Sequence, residues 1–511
     1  MESLYQALSN WSMNDPNQNS GNMGANQQSY TENGALSHGR VSNGRVELFF
    51  KTVRGQPMEQ LSPMLLKAWN EDPRDTLKLI FQTRDCRGGK GEKQLFIMMC
   101  QWLATHSEEN LVGNLLLVPE YGSWLDLVKI ADATSTSKVE SKIAENCWKI
   151  LANQLYQDRT AMHEGKPCTL VAKWVPTEGS KWDKKTKGAH KVANLLEVSM
   201  KDLRREYLTP LRQYLNVVER MMCQRAWGDI EYSKVPGHAM NKLRKAFARH
   251  DPNRFQEWSE ALGRGEVKVN AKTLHPHEIV TKYSRESSFD QVLESQWLVL
   301  QSELAKLGSL GKTLVLSDVS GSMSGLPMEV SVALGLMISS LSEAPFRDGI
   351  ITFHTNPTFH MVQGKNLMER INNVRRMSWG GSTDFTKVFD LILGRARQAE
   401  LASEAMPERL VVLSDMQFNQ ADSGLFQGTN YQSIVKKYEN YGYKVPQIVF
   451  WNLRANTVDF PIPSAHMKNV CLLSGFSPMV LKALLNRPNI SPYQIVRDTI
   501  DCPRYEKVRY F

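Results

Sequence analysis

Two patterns of apolar and polar positions divide the chain. From about Gly44 to Leu300 the apolar residues recur at helical spacing, as in Leu48-Phe49-Phe50-Lys51-Thr52-Val53, Met64-Leu65-Leu66-Lys67-Ala68-Trp69 and Thr76-Leu77-Lys78-Leu79-Ile80-Phe81. This spacing predicts short amphipathic helices. Asp72-Pro73 marks a helix start, with Pro at an early position where its missing N–H costs nothing. Asn114 to Val118, followed by Pro119 to Leu127, reads as a helix, a turn and a new helix start. Helices joined by tight turns suggest a solenoid of HEAT-like pairs. After residue 308 the pattern changes to short unbroken apolar runs: Leu314-Val315-Leu316, Gly349 to Phe353, Arg409 to Leu413, Lys444 to Trp451 and Val470 to Leu473. Helical stretches lie between them, around Met328 to Leu341, Phe385 to Ala396 and Tyr431 to Tyr441. Buried strands alternating with helices predict a doubly wound, mostly parallel α/β sheet covered on both faces. The expected fold is therefore α plus α/β, with a polar tail at residues 1–42, a helical domain at 43–304 and an α/β domain at 308–511.

Composition narrows the class. The tail is rich in Asn, Ser, Gln and Gly and poor in large apolar residues, so it is expected to be disordered. No run is long enough to cross a membrane, and the first residues do not resemble a secretory signal. Seven scattered cysteines without a Cys-x-x-Cys pair read as reduced thiols, which predicts a soluble cytoplasmic protein. The 62 basic residues exceed the 53 acidic ones and give a net charge of +9, compatible with an anionic partner.

The most informative segment is Ser317-Asp318-Val319-Ser320-Gly321-Ser322-Met323-Ser324-Gly325, where an apolar strand ends and a helix pattern begins. Asp318, Ser320 and Ser322 place three short oxygen side chains in one turn. Hard oxygens without Cys or His suit a hard divalent cation such as Mg²⁺ or Mn²⁺. The Asp-x-Ser-x-Ser pattern resembles the metal-ion-dependent adhesion site of von Willebrand factor A (vWA) domains. Two further segments follow in the order that family requires: Trp379 to Phe385, a Gly-rich loop carrying Thr383, and Arg409 to Asp415, a buried-strand run ending in a carboxylate. The resemblance covers about residues 308–511. It implies a Rossmann-like domain with Asp318, Ser320, Ser322, Thr383 and Asp415 at the metal.

Basic clusters lie in the helical half. Lys181, Lys184, Lys185, Lys187 and Lys191 surround Trp182 in what reads as a polar loop, and Lys242, Arg244, Lys245 and Arg249 line a helical segment. Arg87 and Lys90 sit in Arg84-Asp85-Cys86-Arg87-Gly88-Gly89-Lys90-Gly91-Glu92. That segment lacks both the spacing of a phosphate loop and a preceding strand, so it reads as a helix–helix turn. Basic residues interleaved with aromatics can neutralise phosphates and stack bases. His275-Pro276-His277-Glu278 reads as a loop entering a helix rather than as a metal site.

A helical solenoid followed by a vWA domain resembles the TROVE-domain proteins of the Ro autoantigen group. The segments Leu77 to Phe81, Arg84 to Glu92, Pro119 to Gly122, Ala172 to Pro176 and Tyr232 to Pro236 are more similar to the domain-of-unknown-function 2828 family. The Ro resemblance implies an RNA-binding scaffold. The vWA resemblance equally implies a protein-interaction module, in which an acidic residue of a partner completes the metal's coordination. No nucleophile–base pair or zinc-binding helix stands out, so an enzyme is not expected, nor is a small-molecule substrate or a membrane partner.

Overall fold

The computed structural model describes residues 28–30, 36–38, 43–135, 141–286, 288–318, 320–353, 357–377, 385–416, 430–455, 465–484 and 491–511. Of the polar tail, only residues 28–30 and 36–38 are described. They pair as a short antiparallel ladder, Gln28 opposite His38 and Tyr30 opposite Leu36, where the sequence predicted no order. The remainder of the tail lies outside the described residues.

The first half is helical, and its boundaries follow local chemistry. Asp72 caps the helix Pro73–Arg84 by accepting from the Asp75 N–H at 2.9 Å, with Pro73 in the first turn. The helix Trp124–Thr134 starts where the Asp126 carboxylate reaches back to the Ser123 N–H at 2.9 Å. The Gly-rich segment after Arg84 is the turn between the helices Pro73–Arg84 and Lys93–His106, as its spacing predicts. The helix Pro276–Arg285 opens at the proline that separates His275 from His277. Residues 181–191 depart from expectation. They form the short helices Lys181–Thr186 and Gly188–Leu195, with Lys187 in the left-handed conformation between them (φ 55°). Ser180 caps the first helix, and Asp183 accepts from the Ala189 N–H at 2.9 Å, which draws the polar run into helical order.

The second half holds a six-stranded sheet. In chain order its strands are β1 (Thr313–Asp318), β2 (Gly349–Phe353), β3 (Thr358–Met361), β4 (Arg409–Ser414), β5 (Gln447–Asn452) and β6 (Val470–Ser474). Their spatial order is β3-β2-β1-β4-β5-β6, all parallel except β3, which lies antiparallel at the edge. β1, β5 and β6 are buried along their whole length, which explains why they read as unbroken apolar runs rather than alternating ones. The helix Leu326–Leu341 is buried from Val330 to Ser339. Strand order reverses between β1 and β4, so their carboxyl ends form the switch point at which open α/β sheets bind ligands.

The two halves share one continuous apolar core, running from Val46 to Val508. A satellite core between Val218 and Val292 is built on Tyr232, Phe247 and Phe255 and carries the basic helix Gly237–His250. The last eleven residues do not stay with the sheet. They return to the helical half, where Tyr121 donates to the Arg504 carbonyl at 2.5 Å and Asn114 exchanges hydrogen bonds with the Arg509 backbone at 2.7 and 3.0 Å.

Candidate metal centre

Asp318 is the last residue of β1 and is 1% exposed. Its Oδ1 accepts the Ser320 N–H at 2.9 Å, which folds the chain into the short turn Gly321–Met323 and brings the Ser320 and Ser322 hydroxyls within 2.9 Å of each other. Gly325 then takes φ +89°, a conformation that strains any L side chain, and delivers the chain into the helix Leu326–Leu341. On the neighbouring strand, the Ser414 hydroxyl donates to Asp318 Oδ2 at 2.6 Å and accepts the Met416 N–H at 3.0 Å. Asp415, 1% exposed, follows directly. One oxygen of Asp318 therefore holds its own loop, and the other joins that loop to the end of β4 across the switch point. Thr383 lies outside the described residues.

Asp318 and Asp415 are both buried, and the charge of Asp415 acts on Asp318. Burial first, and then the charge of Asp415, push the Asp318 carboxyl up to about 6. A divalent cation between them would relieve both effects, and the donors present, carboxylates and hydroxyls, are oxygen only. That set fits Mg²⁺ or Mn²⁺. Among the described residues no group of three His, Cys, Asp or Glu side chains converges. Two members of the site were not foreseen from the motif. Ser414 could have been suspected as the polar residue closing an apolar strand. Arg454, just beyond β5, carried no local signal: its Nη1 donates to the Ser322 carbonyl at 2.5 Å and lies 3.4 Å from Asp415 Oδ2.

The basic candidates separate by burial. Lys181, Lys184, Lys185 and Lys187 are exposed and Lys191 is half-buried; Lys185 pairs with Asp132, and Lys191 lies over the Trp148 ring at 5.5 Å. On the helix Gly237–His250, Lys242, Lys245 and Arg249 are exposed, with Lys245 3.0 Å from Glu286. Arg87 is exposed and donates to the Glu120 carbonyl at 2.7 Å. Two candidates are corrected. Arg244 is 3% exposed and held by Glu286 and Asp290, each at 2.6 Å, so it braces the satellite core rather than a ligand. Lys90 is fully buried. Its ammonium donates to the Phe49 and Thr52 carbonyls, the latter at 2.9 Å, and to Ser474 Oγ at 2.8 Å. The first two cap the end of the helix Gly44–Lys51, and the third closes β6, so Lys90 joins the halves of the molecule and cannot reach a phosphate.

Taken together, the fold and site define a two-part protein, a helical half joined to a mostly parallel sheet with a cluster of oxygen side chains at its switch point. Comparison with known proteins agrees with that division. Residues 31–145 and 129–310 match the family described as domain of unknown function DUF2828, and residues 312–502 match domain of unknown function DUF7788. Uncharacterized protein L728 of Acanthamoeba polyphaga mimivirus is 32% identical over 507 residues, covering 93% of this chain and 87% of that protein. The chain belongs to the DUF2828 family.

Proposed function

We propose that this protein is a non-catalytic binding scaffold whose α/β half is a vWA-like, Mg²⁺-dependent ligand site. The observation that carries the reading is the convergence of Asp318, Ser320, Ser322 and Asp415 at the β1/β4 switch point, held by Ser414. Asp318, Ser320 and Ser322, with Thr383 by the family pattern, would hold the cation, and Asp415 would hold its outer shell. A bound Mg²⁺ would supply a directional positive charge for an acidic oxygen of a partner. The protein's own contribution is rigidity. Asp318 is immobilised by two hydrogen bonds and stays buried, which raises the pH at which it ionises.

Asp318→Asn tests this. A carboxyl whose folded pKa is raised binds its proton more tightly in the folded state. The metal-free protein therefore loses stability as pH rises from about 4 to about 6, and the loss persists at pH 7. Removing the charge should make the metal-free protein more stable at pH 7, by about 2–3 kcal/mol. The same substitution should abolish the rise in unfolding temperature that millimolar MgCl₂ gives the wild type. Wild-type Mg²⁺ affinity should fall about tenfold per pH unit below 6, as Asp318 takes up a proton. A thermal shift with MgCl₂ that is equal in the two proteins would refute the assignment.

A second reading concerns the partner. Lys181 and Lys184 are exposed on the short helix Lys181–Thr186 beside the half-buried Trp182, Lys187 is exposed in the link after it, and Lys242, Lys245 and Arg249 are exposed on the helix Gly237–His250. This favours RNA bound on the helical half, as the TROVE-like layout implies. Labelled structured RNA should then bind with an affinity that falls steeply with salt, and Lys181→Glu/Lys184→Glu should flatten that dependence. A salt-independent affinity would leave a protein carboxylate as the metal's ligand.

A further inference from the structure

The guanidinium of Arg454 belongs to neither of the two loops that build the metal centre, yet it touches both. Its Nη1 lies on the Ser322 carbonyl of the β1 loop and 3.4 Å from Asp415 Oδ2 at the end of β4. The backbone around it is fixed: the Arg454 N–H donates to Asn452 Oδ1 at 3.0 Å, and the Leu453 N–H donates to the Ser414 carbonyl at 3.0 Å. The side chain is 39% exposed against 0% for Asp415, so the guanidinium borders solvent while the carboxylate does not. Arginine stays charged across the working pH range. It is therefore a permanent positive charge shared with the carboxylate that a divalent cation would also use.

We propose that Arg454 is the resident cation of this site, bridging Ser322 and Asp415 until a divalent cation displaces it, and that it thereby sets the site's metal affinity. The inference rests on the metal-binding reading above. Three positive charges on one pair of carboxylates repel one another, and a buried site screens that repulsion poorly. Removing the guanidinium also leaves Asp318 and Asp415 with less countercharge when metal is absent. Both effects make the metal bind more tightly once Arg454 is gone. A role in merely positioning Asp415 predicts the opposite sign.

Titration calorimetry with MgCl₂ and MnCl₂ on the full chain reads that sign. Arg454→Gln should bind about tenfold more tightly than the wild type, and Arg454→Lys, which keeps the charge, should stay near the wild type. Unchanged or weaker binding by Arg454→Gln, with the wild type still binding, overturns the role of Arg454 alone. Absence of binding at millimolar metal in both proteins overturns the metal reading with it. A measurement on the wild type does not depend on the variant's folding: phenylglyoxal modification of Arg454, followed by peptide mass, should increase when saturating MgCl₂ is added. Protection or no change would mean that the guanidinium is not displaced.

Discussion

Asp85→Ala should release the last eleven residues from the helical half at a cost of about 3 kcal/mol, the lower end of what breaking a buried ion pair costs. Asp85 is 0% exposed and gathers three side-chain donors from the chain's far end: Arg504 Nε, Arg504 Nη2 at 2.6 Å and the Tyr505 hydroxyl at 2.9 Å. Tyr505 is 1% exposed and stacks on Tyr121 with ring centroids 5.6 Å apart, so its hydroxyl would be left without an acceptor inside the core. Arg504 is about a third exposed and can turn to water, which is why the lower figure applies. Hydrogen exchange in residues 501–511 should accelerate on the order of a hundredfold, since 3 kcal/mol is about two decades. Tyr505→Phe removes one hydrogen bond and keeps the ring, so it should cost only about 1 kcal/mol. Exchange that rises uniformly over the whole chain in Asp85→Ala would mean the segment is not a separable anchor.

Lys90→Met should weaken the junction between the halves and remove a pH dependence of stability. Desolvation lowers the Lys90 ammonium to about 7, opposed only in part by Glu92. The sign follows from proton binding. Between pH 7 and pH 10.5 the unfolded chain holds the lysine proton and the folded chain does not, so this residue's contribution to stability increases with pH. From pH 7 to pH 9 it is worth up to about 1.4 kcal/mol per unit, and the variant lacks it. The difference between wild type and Lys90→Met in denaturant unfolding should therefore widen by about 2 kcal/mol over that interval. At pH 7 the variant is spared the cost of desolvating the ammonium, which offsets the hydrogen bonds it loses, so the widening with pH is the quantity to read. The Thr52 carbonyl, which caps the helix Gly44–Lys51, keeps only the 3.3 Å contact from Ser474. A difference that does not vary with pH would show that Lys90 remains charged in the folded state.

Much of the fold was legible because its signals are local. Asp72-Pro73 announces a helix start through a cap and a proline that act within one turn. The runs at Leu314, Val411, Val449 and Cys471 read as strands because sheets covered on both faces need no polar alternation. Asp318, Ser320 and Ser322 were readable for the same reason, lying within five residues of one another and sharing a single turn. The lysine-rich stretch at 181–191 misled because its composition is that of a loop, while Ser180 and Asp183 supply caps that composition does not weigh.

The errors in assigning charged residues have a common cause. Lys90 and Arg244 read as phosphate contacts in the sequence, and each is buried because its partners come from distant parts of the chain, Ser474 and Asp290. Arg454, though partly exposed, likewise meets its partners Ser322 and Asp415 only across the fold. The alternation of strands and helices after residue 308, the oxygen-rich turn and the family were legible in the chain alone, since each depends on residues near one another or on the pattern taken whole. Tertiary structure alone decided which charges face water, which bind the halves together, and which cation already stands beside Asp415. Those choices depend on desolvation and partner distance, and neither exists until the chain has closed on itself.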